Sequence, residues 1–287
     1  MKRLLIGFGL ALTACSPLSS DVDNGIVPST VAATTTTSTT VTLPPTTTIP
    51  LARFVDARTV QTARPGPVEG LLQFRGNPSR TWYGVGPVPS DPSIAWSAEI
   101  GCGLSTVGGQ ATSWCGSGWT GQPVIWERPD GVTELIFGAY DRAVHFLDAA
   151  TGQTTRPEFP TQDINKGSVT LDPDGYPLIY FGSRDDRIRI VALDRAVPTE
   201  LWAFVTPPNS IWNNDWDGNP TVIDDLLFEG GENGIFYVWK LNRAFDTDGS
   251  VTVDPELLFS MPSYNDDLIS RVGRNVSIEN SVAIYEG

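Results

Sequence analysis

The densest group of side chains that could do chemistry lies at residues 211–220, IWNNDWDGNP, which hold two Trp, three Asn and two Asp. Carboxylate and amide groups bind polar ligands or Ca²⁺, and an indole ring can stack on a ligand. We predict that Trp216 stacks on a ligand while Asp215 or Asp217 fixes its polar edge. Docking between neighbouring sheets is the alternative role for the Trp rings. The candidate residues here are Trp212, Asn214, Asp215, Trp216 and Asp217.

Three more candidates, Asp185, Arg187 and Glu232, stand in polar loops of neighbouring segments. In a four-stranded antiparallel unit, alternate loops emerge on one face, so we expect these side chains to meet residues 211–220 there. A plain turn role is the alternative, because Asp and Asn favour turns. No catalytic residue and no metal ligand is assigned. His145, the only histidine, lies in an alternating strand and is interpreted as a structural residue.

The elements that must position these residues follow a repeat. Three segments share a pattern of short apolar strands and polar turns: QPVIW, ELIFGAYDR and AVHFLDAATG; then GSVTL, PLIYFGSRDD, RIRIVALD and TELWAFV; then NPTVID, LLFEGGENG and IFYVWKLN. Gly138, Gly182 and Gly230 hold matching positions, 44 and 48 residues apart. A period in the forties built from four short strands is typical of a β-propeller blade. We therefore predict an all-β fold, a β-propeller of four-stranded antiparallel blades, over residues 71–287.

The ends of these repeats carry a docking motif. In ALDRAVPTELW, Ala192, Asp194 and Trp202 keep the outer spacing of Ala-x-Asp-x-x-Thr-Gly-Lys-x-x-Trp, and in LDAATGQTTR the Asp and Thr-Gly match while Arg156 stands where Trp is expected. These residues resemble the pyrroloquinoline-quinone (PQQ) repeat family of β-propellers. The resemblance implies that Asp and Thr-Gly make a turn and that the Trp ring packs between neighbouring blades.

The resemblance also implies a possible cofactor. Enzymes of that family use PQQ and Ca²⁺ to oxidise alcohols or sugars, and the alcohol type holds PQQ over a disulfide between adjacent cysteines. Cys102 and Cys115 are not adjacent, and no Asp is identified as the base by motif. We therefore expect no PQQ-dependent redox activity, and PQQ with Ca²⁺ is kept as an alternative.

The N-terminal residues predict where in the cell the protein is located. Lys2 and Arg3 precede the short apolar run at residues 4–12, and LTAC at residues 12–15 resembles the bacterial lipobox. We predict a lipoprotein signal peptide at residues 1–14 and a lipidated Cys15, which would place the protein outside the cytoplasm and anchored to the bacterial cell membrane. The alternative is an ordinary signal peptide with an incidental Cys. Residues 15–50 are rich in Thr and Pro and predict a disordered tether, followed by a linker at residues 51–70.

The remaining two cysteines are expected to form a disulfide. With Cys15 lipidated, Cys102 and Cys115 flank a short loop, and thiols oxidise outside the cytoplasm. Two cysteines alone do not make a structural zinc site.

The net charge of −14 and the pI near 4.4 argue against nucleic-acid binding, which needs a basic face. We expect an envelope-anchored, non-catalytic scaffold that binds a ligand or protein, with the membrane as partner through the Cys15 lipid. The alternatives are a quinoprotein dehydrogenase and a glycan-binding or glycan-cleaving propeller.

Two further segments bear on how the circle of propeller blades would close. Residues 277–287 read as the opening of another repeat, and PSIAWSAEI at residues 92–100 matches the outer-strand pattern of PTELWAFV. We expect about three blades plus the start of a fourth, and we interpret the sequence as C-terminally truncated.

Overall fold

The computed structural model describes residues 67–82, 88–107, 109–118, 121–208 and 210–285. All of them belong to the compact unit Leu51–Gly287. The predicted signal peptide, Cys15, the tether and most of the linker lie outside the described residues. Among the described residues there is no helix of the length and apolarity that a membrane span requires.

The first sheet and a hairpin inserted into it use seven strands. Their bounds are β1 Gly70–Leu71, β2 Cys102–Val107, β3 Gln110–Cys115, β4 Val124–Glu127, β5 Thr133–Gly138, β6 Ala143–Asp148 and β7 Phe159–Pro160. The sheet is antiparallel in the order β1-β4-β5-β6-β7, and β2 and β3 pair separately as the hairpin. Cys102 lies opposite Cys115 in this hairpin, and the predicted disulfide between them is confirmed.

The second and third sheets repeat the same up-and-down order. The second sheet contains β8 Thr170–Leu171, β9 Leu178–Ser183, β10 Arg187–Ala192 and β11 Thr199–Val205. The third contains β12 Thr221–Ile223, β13 Leu226–Gly230, β14 Ile235–Lys240 and β17 Glu256–Pro262, with a small hairpin of β15 Ala244–Phe245 and β16 Val251–Thr252 before the last strand. A single short helix among the described residues, α1, spans Asp266–Val272.

The three sheets stack because strand residues alternate between two apolar faces. In β9, Ile179 and Phe181 join the core shared with the first sheet, while Leu178 and Tyr180 join the core shared with the third. The second sheet is thus covered on both faces, as a blade in a β-propeller is. The predicted all-β fold with propeller-type blades is confirmed.

The matching glycines explain the close spacing between successive repeats. They lie at or near the ends of β5, β9 and β13. At each of them, the connection that leaves the last strand of the sheet crosses close to the glycine backbone. A Cβ atom placed on Gly138, Gly182 or Gly230 would lie 2.6, 2.4 and 2.4 Å from side-chain atoms of Asn165, Trp216 and Ile278, respectively. Any larger side chain would push that connection away.

The docking role predicted for Trp202 agrees with its position. Its ring lies on β11 and makes an edge contact with Trp239 of the third sheet, 5.7 Å between centroids. Trp202 packs against the core that the second and third sheets share. The tryptophan therefore joins one sheet to the next, as the motif implies.

The outer strand expected at residues 92–100 is not formed, which corrects that prediction. Trp96 instead donates a hydrogen bond from Nε1 to the carbonyl oxygen of Ala149, at 2.8 Å. Its ring lies against Gly152 in the turn after β6. The segment is thus held by one side chain rather than by a strand ladder.

Residues 275–285 also contain no strand, although their positions follow the repeat. Asn219 donates from Nδ2 to Ser281 Oγ at 2.6 Å, just as Ser168 donates from its backbone nitrogen to Asn219 Oδ1 at 2.8 Å. Val282 and Ile284 pack on the apolar face of the third sheet that points away from the second.

Candidate functional site

A cavity of about 320 Å³ lies where several connections between strands meet. Its residues come from the segment before β8, the β9–β10 loop, the β11–β12 connection, the β13–β14 turn and the chain after α1. The lining side chains are Lys166, Arg184, Trp212, Asn213, Glu232, Asn275 and Glu279. The alternate loops of the antiparallel sheets therefore do converge on one face.

Two of the predicted ligand-binding residues line this cavity, Trp212 and Glu232. Asp215 and Asp217 are buried beside it and contact its cationic residues. The fold thus brings Glu232 close to Asp215 and Asp217, although it lies in a different loop of the chain.

The two tryptophans of residues 211–220 have opposite environments. Trp212 is 48% exposed, whereas Trp216 is fully buried, at 0%. The Trp216 ring lies 5.5 Å from Tyr237 and 6.0 Å from Phe204 between centroids, within the core shared by the second and third sheets. Trp216 therefore docks sheets, the alternative that the sequence left open, and it has no surface on which a ligand could stack.

Three other predicted residues do not line the cavity. The side chain of Asp185 is nearly inaccessible and is paired with Arg189, whose Nη2 lies 2.6 Å from Asp185 Oδ2. The carbonyl oxygen of Asn214 accepts a hydrogen bond from Thr206 Oγ1 at 2.8 Å, which makes it part of the loop's own structure. Arg187 is the first residue of β10 and pairs in the sheet.

Two ion pairs fix the floor of the cavity. Arg184 Nε donates to Asp215 Oδ2 at 2.7 Å, and Lys166 Nζ contacts Asp217 Oδ2. Asn213 links two of the carboxylates, since its Nδ2 donates to Asp215 Oδ2 at 2.7 Å and to Glu232 Oε2 at 2.9 Å. These contacts hold the acidic groups in fixed positions.

The guanidinium group of Arg184 has hydrogen-bond donors that no described residue accepts from. Arg184 is only 8% exposed, and the bond from Nε to Asp215 is the one hydrogen bond that its side chain makes among the described residues. Its Nη1 and Nη2 have no hydrogen-bond partner within that part of the chain. Because Arg184 lines the cavity, these donors are placed where a bound molecule could accept from them.

The carboxylates are electrostatically crowded. Burial, together with the neighbouring Asp217 and Asp215 carboxylates, raises the pKa of Glu232 to about 8. Burial also raises the pKa of Asp215 to about 6, against the opposing effect of Arg184. Burial opposes the charge of Lys166, but Asp217 raises the pKa of its ammonium group. Asp217 Oδ1 is buried and lacks a hydrogen-bond partner among the described residues.

One oxygen each from Asp217, Glu232 and Glu279 lies within 4.8 Å of the other two. Carboxylate oxygens at such separations are compatible with a hard cation such as Ca²⁺. The ammonium group of Lys166 already contacts Asp217, however, so a cation there would sit beside a positive charge.

The PQQ-binding mode implied by the family resemblance does not fit this disulfide. Cys102 and Cys115 stand 13 positions apart in the sequence and pair across a hairpin. Neither cysteine lines the cavity. The disulfide therefore offers no platform of adjacent cysteines on which a planar cofactor could rest.

Asn275 and Glu279 were missed by the sequence analysis. Both follow α1 and reach the cavity because Ile278 docks on Gly230. In the structure, Ile278 docks on Gly230 as Trp216 docks on Gly182, and Ser281 takes the place that Asn219 holds one repeat earlier. The two places are 62 residues apart, unlike the 44 and 48 residues between the matching glycines, so the sequence carried no clear signal for this register.

No family model and no curated protein matches the chain. A solved structure to which it is similar is that of the quinohemoprotein alcohol dehydrogenase ADHIIG from Pseudomonas putida HK5. The identity is 16% and the TM-score 0.39, over 69% of this chain and 28% of that one. The chain thus spans less than a third of that enzyme's length, and a likeness this distant carries no argument about function.

Proposed function

We propose that this chain is a non-catalytic binding protein of the bacterial cell envelope whose propeller-type domain holds a small polar ligand. The observation that carries the proposal is the pair of free Arg184 terminal nitrogens in a cavity of about 320 Å³. Ligand sites are typically concave, with a few converging polar groups. A guanidinium group whose terminal nitrogens have no protein partner can donate to a ligand in the cavity.

A binding role is favoured over catalysis by the state of the acidic residues. Asp215 and Asp217 are each paired with a cation, Arg184 and Lys166 respectively, and held by it in one position. His145, which could act as a base, hydrogen-bonds Asp141 from Nε2 at 2.9 Å and does not line the cavity. Groups held in this way orient a ligand rather than transfer protons.

The envelope location rests on the residues before the propeller. A lipid on Cys15 would anchor the chain, and the Thr/Pro-rich residues 15–50 would hold the domain away from the membrane. The ligand is then a small molecule outside the cytoplasm, or an exposed end of an envelope glycan or protein.

The test uses the full chain in a thermal-shift screen against sugars, sugar acids, amino acids and metal salts, followed by calorimetry on each hit. A true ligand should raise the melting temperature of the wild type and lose affinity in Trp212→Ala. Arg271→Ala, in an exposed ion pair of α1, serves as the control. If no compound binds, or if every hit binds Trp212→Ala equally, the cavity is not a ligand site.

The alternative is a PQQ- and Ca²⁺-dependent dehydrogenase. The same preparation, incubated with PQQ and CaCl₂, would be assayed for dye reduction with alcohols and sugars. Turnover that disappears when PQQ is left out would replace the binding role with an enzymatic one.

A further inference from the structure

We infer that the cavity selects a small zwitterion, a molecule that carries both a carboxylate and an ammonium group, as an amino acid does. The inference rests on the proposed function, because it assigns a ligand class to the same cavity. It follows from how the charges of the lining residues are matched.

The carboxylate end is assigned to Arg184. A guanidinium group binds a carboxylate through two parallel hydrogen bonds, and such charge-assisted pairs are short and strong. Asp215 occupies Nε of Arg184, which leaves the terminal nitrogens for a ligand. Arg184 lines the cavity, so these donors are accessible from it. Asn213 and Asn275 line the same cavity and add amide groups.

The ammonium end is assigned to Glu232 and Glu279. Lys166 contacts Asp217 and Arg184 pairs with Asp215, so the cavity region holds two cations and four carboxylates. Glu232 and Glu279 are acidic groups in excess of these pairs. A purely anionic ligand that reached Arg184 would face both of them. A ligand that also carries an ammonium group places opposite charge beside them.

Trp212 suits the rest of such a ligand. Its ring lines the cavity and is nearly half exposed, so it can cover an apolar side chain or receive a cation on its face. The cavity volume of about 320 Å³ lies at the small end of the usual range for ligand sites. An amino-acid-sized molecule fits that volume better than a polymer does.

Ligand binding should release a proton. The pKa of Glu232 is about 8 because Glu232 is buried beside Asp217 and Asp215, so at pH 7.5 it is largely protonated. An ammonium group beside it would favour its ionised form and lower that pKa. The cations facing it, Lys166 and Arg184, have raised pKa values and keep their protons at this pH. Asp215, with a pKa of about 6, is already largely ionised, and Asp217 and Glu279 are the other carboxylates facing Glu232.

The experiment is calorimetric titration of the full chain with glycine, alanine, phenylalanine and glycine betaine. Matched analogues lack one charge each: N-acetylalanine has no ammonium group, and alaninamide has no carboxylate. We expect binding of at least one zwitterion and a loss of affinity of about tenfold or more for each analogue of that zwitterion. Titrations in phosphate and in Tris at pH 7.5 should differ in heat by an amount that corresponds to proton release.

Two variants locate the charges, and both are compared with Arg271→Ala. Glu279→Gln, at an exposed position, should weaken zwitterions about tenfold, whereas N-acetylalanine should bind no more weakly than it binds the wild type, because the variant removes a carboxylate that repels it. Arg184→Lys should weaken zwitterions but not alaninamide, because lysine cannot form the two-pronged contact. Should Arg184→Lys fail to fold, the analogue series on the wild type decides the same point.

Three results would overturn the inference. Binding of a neutral sugar that is lost in Trp212→Ala would keep the binding function but exclude the zwitterion. Stabilisation by CaCl₂ alone that is lost in Glu279→Gln would make the carboxylates a metal site instead. Binding of no compound in any arm would remove both the inference and the proposed function.

Discussion

Arg156 Nη1 donates a hydrogen bond to the carbonyl oxygen of Leu193, 3.0 Å away, and so joins the first sheet to the end of the second. The docking motif predicts a tryptophan at this position. The guanidinium group lies over the Phe146 ring, 5.4 Å from its centroid, and pairs with the fully buried Glu134. A cation thus takes the place of an indole ring at this sheet-to-sheet contact.

Arg156→Ala should lower the free energy of unfolding by about 3 kcal/mol, because it leaves a buried carboxylate with fewer partners. Glu134 would keep only Arg128 and Thr155 among the described residues. Urea unfolding followed by tryptophan fluorescence measures the loss. The control Arg271→Ala removes an exposed pair and should cost no more than about 0.5 kcal/mol. Equal effects of the two variants would contradict the docking role.

The two tryptophans of residues 211–220 should differ sharply in their effect on stability. Trp216→Ala empties a fully buried site and should cost about 3–5 kcal/mol, whereas Trp212→Ala removes a half-exposed ring and should cost less than about 1 kcal/mol. Thermal and urea unfolding of both variants provide the comparison. A Trp216→Ala protein as stable as the wild type would show that this ring is not part of the core.

Stability should fall as the pH rises from about 5 to 8. Burial raises the folded-state pKa of Glu232 to about 8 and of Asp215 to about 6, so the folded state holds protons that the unfolded chain has released. The stabilisation is complete below the unfolded pKa values and is lost as the pH passes the folded ones. Each group contributes a slope of up to about 1.4 kcal/mol per pH unit.

Glu232→Gln should flatten this pH dependence between pH 6 and 8. Urea unfolding at intervals of half a pH unit measures it, with Glu256→Gln at an exposed strand position as control. A curve for Glu232→Gln that parallels the wild type would show that the Glu232 proton is not the source.

The disulfide should stabilise the fold without affecting the cavity. Cys102→Ser with Cys115→Ser should lower the free energy of unfolding by up to about 3 kcal/mol, because the bond closes a short loop in the unfolded chain. Ligand affinity should be unchanged, since neither cysteine lines the cavity. Thiol titration of the unfolded, unreduced wild type should find neither residue free. Altered affinity in the double variant would point to an unexpected link between hairpin and cavity.

Cys15 should carry the membrane anchor. Cells grown with a palmitate analogue should label the wild type, and Cys15→Ser should abolish the label and move the protein out of the membrane fraction. A label that persists in Cys15→Ser would exclude this lipobox.

The repeat made the sheets predictable. Alternating apolar residues and the glycine period correctly placed the long strands, and the spacing of the motif correctly assigned Trp202 to a contact between sheets. Both signals are local or periodic, so a single sequence carries them. The strand expected around Trp96 failed because its pattern carries no information about whether a partner strand is available.

The cavity was harder to predict, because which side of a connection faces the core depends on the neighbouring sheets. Trp212 and Trp216 look alike in the sequence, yet the absence of a side chain at Gly182 admits only Trp216 to the core. Glu279 joins the cavity from a distant segment. Arg184 looks like an ordinary polar residue of a turn in the sequence. Its proposed role in ligand binding depends on which of its nitrogens have no partner in the fold, and the sequence does not show this.

The glycine beneath each connection also has an evolutionary consequence. Gly182 and the Trp216 connection that crosses it lie within one period of each other, as do Gly138 with Asn165 and Gly230 with Ile278. Each repeat therefore contains both the glycine and the connection that packs on it, so that duplication or deletion of a repeat adds or removes the two together. A gene could gain or lose a whole repeat in one step, because no new contact between sheets has to evolve. Mutation of the loops that line the cavity would then change which ligand is bound.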